Sequence, residues 1–192
     1  MKSNDGKSWQ IVEEVFALYE RHGQLDYIGE PVSQIEHMSQ AAQIAEDQGH
    51  DDEIILAAFF HDIGHLFVLD KKLEEMGGYG VMRHEKIGAD YLREMGFPEK
   101  LAKLVENHVQ AKRYLIFKNP EYYGKLSEAS RKTLEYQGGP MNQKEAWYFE
   151  NDELFDLSLK MRIWDELAKE EKKPLPNLDR YKAMALKLIS QG

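Results

Sequence analysis

Six side chains of the types that bind metal ions are the most informative residues of this sequence. A histidine and an aspartate are adjacent at His61 and Asp62, at the end of an apolar run. Three further histidines and a second aspartate lie elsewhere in the chain and could bind the same metal ions: His37, His84, His108 and Asp165. Imidazole nitrogens mixed with carboxylate oxygens suit borderline divalent cations. The set therefore indicates metal chemistry.

Helix periodicity places His37, His108 and Asp165 on apolar faces, where polar groups need partners. A buried polar group left unpaired costs about 1–3 kcal/mol. An ionised aspartate is almost never fully buried unless it is paired or bound to a metal. One shared metal centre satisfies all of these groups together.

The size of the donor set indicates more than one ion. A catalytic zinc keeps about three protein ligands and one open position, whereas this set has four imidazoles and two carboxylates. Two cations with Asp62 as the bridge fit it better. The chain has no cysteine, and the absence of thiolates favours iron or manganese, with zinc and cobalt still open. The sequence thus predicts a dinuclear metal centre, and therefore an enzyme.

Helix-period patterns dominate the chain, and no segment alternates as a strand would. Ser33 and Glu36 form a capping box, Asp51 or Asp52 caps the next helix, and Gly64 is expected to end it. Asp152 is expected to cap the helix that contains Asp165. The helices are predicted over residues 8–21, 33–48, 52–60, 82–95, 98–109, 127–137, 152–165 and 178–189. The predicted fold class is all-α, a helical bundle with a polar site at its centre.

Composition and length set the remaining expectations. The 192 residues suit a single domain over 1–192, with a core of its own. The net charge is −9 and no basic run exceeds two residues, which argues against nucleic acid or a membrane surface as partner. No apolar stretch is long enough to span a bilayer, and the first residues lack a signal region. We expect a cytoplasmic protein with a small-molecule substrate and no obligate protein partner.

The pattern of these histidines and aspartates resembles the HD-domain superfamily, an all-α scaffold best known for metal-dependent phosphohydrolases. An HD dipeptide alone is a weak signal. With the intervening His84 and His108, the pattern resembles that of the dinuclear subclass. This subclass also contains mixed-valent diiron oxygenases such as myo-inositol oxygenase.

Segments around the donor residues make the resemblance more specific. Those segments are residues 26–31, 61–65, 106–114, 126–130 and 161–165. Together they look like the HD-domain oxygenases that cleave the carbon–phosphorus bond of 2-amino-1-hydroxyethylphosphonate. The resemblance extends over most of residues 24–166, and the two terminal segments add nothing to it.

The resemblance implies a role for each matching residue and two iron ions as cofactor, with dioxygen as co-substrate. His37, His61 and Asp165 would hold one iron, His84 and His108 the other, and Asp62 would bridge them. The phosphonate would be bound by His65, Lys112, Ser130 and Arg162. Glu30 would receive the substrate amino group, and Tyr27 would occupy the open iron position until substrate displaces it. The products would be inorganic phosphate and glycine or an N-methylated analogue.

Two other functions share some of these residues. A metal-dependent phosphohydrolase of nucleotides or phosphate esters would use the same metal ligands and cations, but gives no reason for Tyr27 and Glu30. A regulatory HD module that binds a nucleotide would be expected to have lost ligands, and this chain has the complete set. Within the oxygenase interpretation, a primary amine and a trimethylammonium group both suit Glu30, and the latter would also favour aromatic walls.

Overall fold

The computed structural model describes residues 2–27, 29–67, 69 and 75–191, and over them the chain is all-α, as predicted. Ile28, part of one of the matched segments, lies outside these residues. The helices are α1 (Lys2–His22), α2 (Gln34–Asp47), α3 (Asp52–Phe60), α4 (Ile63–Phe67), α5 (His84–Glu94), α6 (Glu99–Lys118), α7 (Pro120–Lys125), α8 (Glu128–Tyr136), α9 (Gln143–Glu150), α10 (Phe155–Leu167) and α11 (Leu178–Gln191). The described residues form no strand, only two isolated bridges.

Helix α3 lies at the centre of the bundle. The Asp51 side chain caps it by accepting a hydrogen bond from the backbone N–H of Ile54 at 3.0 Å. Every residue from Ile54 to Phe60 is buried, because a helix that is apolar all round must be covered on every side. Its neighbours include α1, whose Phe16 ring stacks on Phe59, and α2, α6, α10 and α11.

Helices α2, α6 and α10 hold the polar side chains that face α3. Helix α2 begins with the predicted capping box between Ser33 and Glu36. Helices α6 and α10 pack together, and inside their contact Asn107 donates a hydrogen bond to Ser158 at 3.1 Å. The bundle therefore brings three separate parts of the chain to the end of α3.

The prediction that Gly64 ends the central helix is wrong. Helix α3 ends at Phe60, and Gly64 lies inside α4. A Cβ at Gly64 would lie 2.0 Å from the carbonyl oxygen of His84. The glycine is needed for the close approach of α4 to α5, and not for a helix stop.

Several predicted boundaries also shift. Helix α6 continues to Lys118 because buried side chains such as Tyr114 and Ile116 extend its apolar face beyond Val109. Helix α10 begins after Leu154, since Asp152 caps the preceding turn by accepting a hydrogen bond from the Leu154 N–H at 2.8 Å. Helices α4, α7 and α9 had no counterpart in the sequence prediction.

Two loops cover the end of α3, and each is closed by an isolated bridge. The first runs between Asp26 and Ser33, and the second between Glu75 and Val81. In the second, the N–H of Met76 donates to the carbonyl of Gly80 at 2.7 Å. Across the described ranges, no helix is both long and apolar enough to span a membrane.

Replacing Gly64 with alanine tests the α4–α5 contact. The added methyl group must displace backbone atoms, so we expect the free energy of unfolding to fall by about 1–3 kcal/mol. Denaturant titration measures this change. Gly124→Ala is the matched control because nothing lies within 4 Å of its Cβ position. Equal stability of the two variants would contradict the argument.

Candidate metal centre

Two pairs of histidines meet at the end of α3 with their ring nitrogens facing each other. The Nε2 atoms of His37 and His61 are 3.0 Å apart. Those of His84 and His108 are 3.2 Å apart. All four side chains are buried, with at most 4% of each residue exposed.

The opposite nitrogen of every one of these rings is held by a backbone carbonyl. In each ring Nδ1 donates a hydrogen bond to one carbonyl oxygen. The pairs are His37 with Ala168 at 2.9 Å, His61 with Ala58 at 2.8 Å, His84 with Val81 at 3.3 Å, and His108 with Val105 at 2.6 Å. A carbonyl can only accept, so each Nδ1 carries a hydrogen, and each ring, when neutral, presents a bare Nε2 lone pair to the centre of the cluster. This arrangement is typical of imidazoles that ligate metals.

Asp62 lies between the two pairs and divides its oxygens between them. Oδ2 is 3.6 Å from His37 Nε2 and 3.3 Å from His61 Nε2. Oδ1 is 3.3 Å from His84 Nε2 and 3.4 Å from His108 Nε2. Two donor sets therefore lie close enough to share an ion each, namely His37, His61 and Asp62, and Asp62, His84 and His108. The carboxylate common to both sets has the geometry of a bridge.

The electrostatics of the cluster match a site for cations. Burial opposes the charge of Asp62, but the neighbouring His61 and His84 rings hold its pKa well below the ordinary value. Burial lowers the pKa of His61, whereas the Asp62 carboxylate raises it, and the outcome is about 9. Burial lowers the pKa of His108 to about 3. The Asp62 carboxylate therefore favours a positive charge at the Nε2 atoms that face it, and either a proton or a metal ion can supply that charge.

Asp165 reaches the first donor set from α10. Its Oδ1 lies 3.4 Å from His37 Nε2 and 4.0 Å from His61 Nε2. Its other oxygen accepts a short hydrogen bond from Arg162, one turn earlier on the same helix. Burial raises the pKa of Asp165, but Arg162 and the two histidines bring it well below the ordinary value. All six predicted metal-binding side chains are thus gathered in one place.

A cleft of about 490 Å³, including its open mouth, leads from the surface to these groups. The side chains that the sequence analysis selected are most of its lining. They are Tyr27, Glu30, Asp62, His65, His84, His108, Lys112, Ser130, Arg162 and Asp165. His37 and His61 lie beneath them, fully buried.

His65 differs from the other four histidines of the cluster in its tautomer. Its ring stacks on His84 with centroids 4.0 Å apart, and Nδ1 accepts a hydrogen bond from the Val81 N–H at 3.2 Å. The neutral ring therefore carries its hydrogen on Nε2. Burial holds the pKa of His65 well below 6.5, which keeps the ring neutral and a hydrogen-bond donor. Gly80 allows the stack, because a Cβ there would lie 2.6 Å from the ring.

Two buried cations line the cleft beside the histidines. Lys112 and Arg162 are each only 4% exposed, although long basic side chains are rarely buried. Lys112 donates to the Thr133 hydroxyl at 3.0 Å, and burial lowers the pKa of Lys112 to about 7. Arg162 points Nη2 at the Ser130 hydroxyl, 3.5 Å away. Lys112, Arg162 and Ser130 therefore lie close together at the cleft.

The first covering loop contributes Tyr27 and Glu30. The Tyr27 ring stacks on His37 with centroids 3.9 Å apart and planes 12° from parallel. Burial, with the nearby carboxylates of Asp62 and Asp165, raises the pKa of Tyr27 well above 10. Glu30 lines the cleft, and its carboxylate binds Lys169 at 2.5 Å.

Sequence reasoning missed some residues that support the site. Thr133 and Glu166 hold Lys112 and Arg162 in place, and helical spacing could have found both, at three residues from Ser130 and four from Arg162. Lys169 gave no local signal. Its contact with Glu30 joins residues 139 apart in sequence.

Comparison with known proteins agrees with the fold and the cluster. The HD domain family matches residues 35–168. The chain is 48% identical to an uncharacterized protein of Acanthamoeba polyphaga mimivirus, over 95% of this chain and 84% of that one. It is 38% identical to a [1-hydroxy-2-(trimethylamino)ethyl]phosphonate dioxygenase (glycine-betaine-forming) of Leisingera caerulea, over 94% of this chain and 91% of that one. It is 37% identical to a hydroxymethylphosphonate dioxygenase of Gimesia maris, over 88% and 84% of the two chains.

The chain therefore belongs to the HD-domain family. Its similarity to two dioxygenases, over most of each length, confirms the predicted relationship to the phosphonate oxygenases of that family. The predicted enzyme class, an oxygen-dependent oxidoreductase, is confirmed by the same similarity.

Metal content tests the bridging geometry of Asp62. An amide has one oxygen and no charge, so we expect Asp62→Asn to lose both ions, whereas His84→Ala should lose only the ion of its own donor set. Elemental analysis of the purified variants measures the ions bound per chain. Asp156→Asn, an exposed change on α10, is the control. Two ions retained by Asp62→Asn would refute the bridge.

Proposed function

We propose that the protein is a diiron dioxygenase that cleaves the carbon–phosphorus bond of a 2-amino-1-hydroxyethylphosphonate-type substrate. The products are inorganic phosphate and glycine or an N-methylated analogue, and one molecule of dioxygen balances the reaction. The observation that carries the proposal is the junction of the Asp62 cluster with a cleft that contains two buried cations. The two related phosphonate dioxygenases support the same chemistry.

The donor set fits two iron ions. His37, His61 and Asp165 would hold one, His84 and His108 the other, and Asp62 would bridge them. The facing Nε2 lone pairs at 3.0 and 3.2 Å support this assignment, because two bare acceptors at that distance need a cation or a shared proton between them. Nitrogen and oxygen donors without thiolates suit iron. When bound, the two ions supply dioxygen activation and the oxidation of the substrate carbon.

The phosphonate group would bind to Lys112, Arg162, Ser130 and His65. A dianion needs several donors, and these residues offer an ammonium, a guanidinium, a hydroxyl and a neutral imidazole N–H. The low exposure of the two cations strengthens their attraction for an anion, since little water screens it. Binding there places the carbon beside the phosphorus next to the metal ligands, which orients the bond that breaks.

Tyr27 would cover the metal position formed by His37, His61 and Asp165. Its ring lies flat on His37, and its hydroxyl is held neutral beside the Asp62 carboxylate by burial. A neutral phenol at that place can leave when the substrate hydroxyl enters, and no charge has to be moved. Glu30, at the same rim of the cleft, would face the amino end of the substrate.

A metal-dependent phosphohydrolase remains the alternative function, because a phosphate ester would use the same cations. Dioxygen separates the two. We expect the iron-loaded protein to release phosphate from 2-amino-1-hydroxyethylphosphonate in air and to lose this activity without oxygen. Phosphate is measured against a heat-inactivated sample. Equal release in both atmospheres, or release only from phosphate esters, would refute the oxygenase.

The pKa of Lys112 predicts the pH dependence of substrate capture. Because that pKa is lowered to about 7 by burial, the ammonium is present below pH 7 and is lost as the pH rises. We expect kcat/KM for the phosphonate to fall above pH 7, approaching about ten-fold per pH unit.

Lys112→Arg tests the assignment because a guanidinium stays charged over this range. The fall above pH 7 should disappear in this variant. Lys132→Arg, at an exposed lysine of α8, should keep the profile of the unmodified protein. An unchanged profile in Lys112→Arg would assign the titration to another group.

A further inference from the structure

An internal ammonium already neutralises the carboxylate that would bind the substrate amine. Lys169 Nζ lies 2.5 Å from Glu30 Oε1. The Glu30 side chain is 9% exposed and the Lys169 side chain 19% exposed. Water screens a pair at this depth less than it screens an ion pair on the surface.

The position of Lys169 is fixed by its two neighbours in sequence. The carbonyl of Ala168 accepts the Nδ1–H of His37 at 2.9 Å. Gln40 binds the backbone of Glu170 twice, donating to its carbonyl at 2.8 Å and accepting from its N–H at 2.9 Å. Hydrogen bonds from α2 therefore hold the backbone on both sides of Lys169. This fixes the position of Lys169 beside Glu30.

Glu30 faces two directions at once. It lines the cleft together with Tyr27 and Arg162, whereas Lys169 is absent from the described lining residues. Lys169 thus contacts the carboxylate on the side away from the cleft, and a bound substrate would contact it on the side that faces the cleft. A cationic substrate would meet a carboxylate whose charge is already balanced and would feel the repulsion of the second ammonium.

We propose that Lys169 is a specificity-determining residue, which lowers the preference of the site for phosphonates with a cationic end over those without one. This inference rests on the proposed phosphonate function. Lys169 acts through Glu30 and by direct charge repulsion, and it does not touch the reacting atoms. The competing interpretation, that Lys169 only secures the loop of Glu30, predicts no change in substrate preference.

The readout is the ratio of kcat/KM for two substrates. For each variant we compare kcat/KM for 2-amino-1-hydroxyethylphosphonate with kcat/KM for hydroxymethylphosphonate, which has no cation. Lys169→Met keeps the length of the side chain and removes the charge. It should raise the ratio about ten-fold, because the like charge that shares the Glu30 carboxylate with the substrate cation has been removed. Lys169→Arg should keep the ratio of the unmodified protein.

Lys132→Met is the control for a change of charge elsewhere, and it should leave the ratio unaltered. A general loss of loop structure would lower both activities together and would not favour the amine. A ratio that stays constant in Lys169→Met, or moves towards hydroxymethylphosphonate, overturns the proposal.

A binding measurement separates this inference from the proposed reaction. Calorimetry without oxygen compares Kd for 2-aminoethylphosphonate and ethylphosphonate, and Lys169→Met should shift this ratio about ten-fold towards the amine. If that shift occurs while no variant releases phosphate in air, the specificity role stands and the proposed reaction fails. If phosphate is released but neither ratio moves, the reaction stands and the role of Lys169 is refuted.

Discussion

The position of Asp62 between two histidine pairs is the constraint on which the structure depends. A carboxylate that is 2% exposed must be compensated, and here each oxygen faces a separate pair of imidazoles at 3.3–3.6 Å. The four rings come from helices α2, α5 and α6 and from the end of α3, so one charge fixes the relative positions of four parts of the bundle. The cost of burying Asp62 makes that arrangement specific, because a displaced helix leaves an unpaired carboxylate in the core.

The backbone decides which chemistry these rings can perform. Four carbonyl groups fix Nδ1–H on the four paired histidines, and one backbone N–H fixes the opposite tautomer on His65. Three of the carbonyls, those of Ala58, Val81 and Val105, lie three residues before their histidine. Ala58 and Val105 are themselves helical, so there the helix orients the ring. The carbonyl of Ala58 is also one of the groups that α3 leaves free at its end. His61 therefore caps the helix and presents Nε2 to the centre with one side chain.

The sequence predicted the parts of this site that local spacing controls. His108 and Lys112 share one helix face, and Arg162 and Asp165 share another, so helical periodicity places each pair together. The prediction that Gly64 ends a helix was wrong for a physical reason. Glycine occurs both where a helix ends and where two backbones approach closely, and only the position of His84 in the fold distinguishes the two cases. The Glu30–Lys169 pair could not be predicted, because it depends on the hydrogen bonds between α2 and the segment that follows α10. The metal and substrate roles of these residues stay predictions.

The helices couple the proposed phosphonate site to the candidate metal cluster. On α10, Arg162 binds Asp165 one turn later and Glu166 on the next residue, so the guanidinium that faces the cleft is also the partner of a carboxylate at the cluster. On α6, Lys112 lies one turn beyond His108. An ion bound by Asp165 would compete with Arg162 for that carboxylate and free part of the guanidinium for an anion. Occupied metal positions would therefore favour phosphonate binding, and by linkage a bound phosphonate would favour retention of the metal to the same degree.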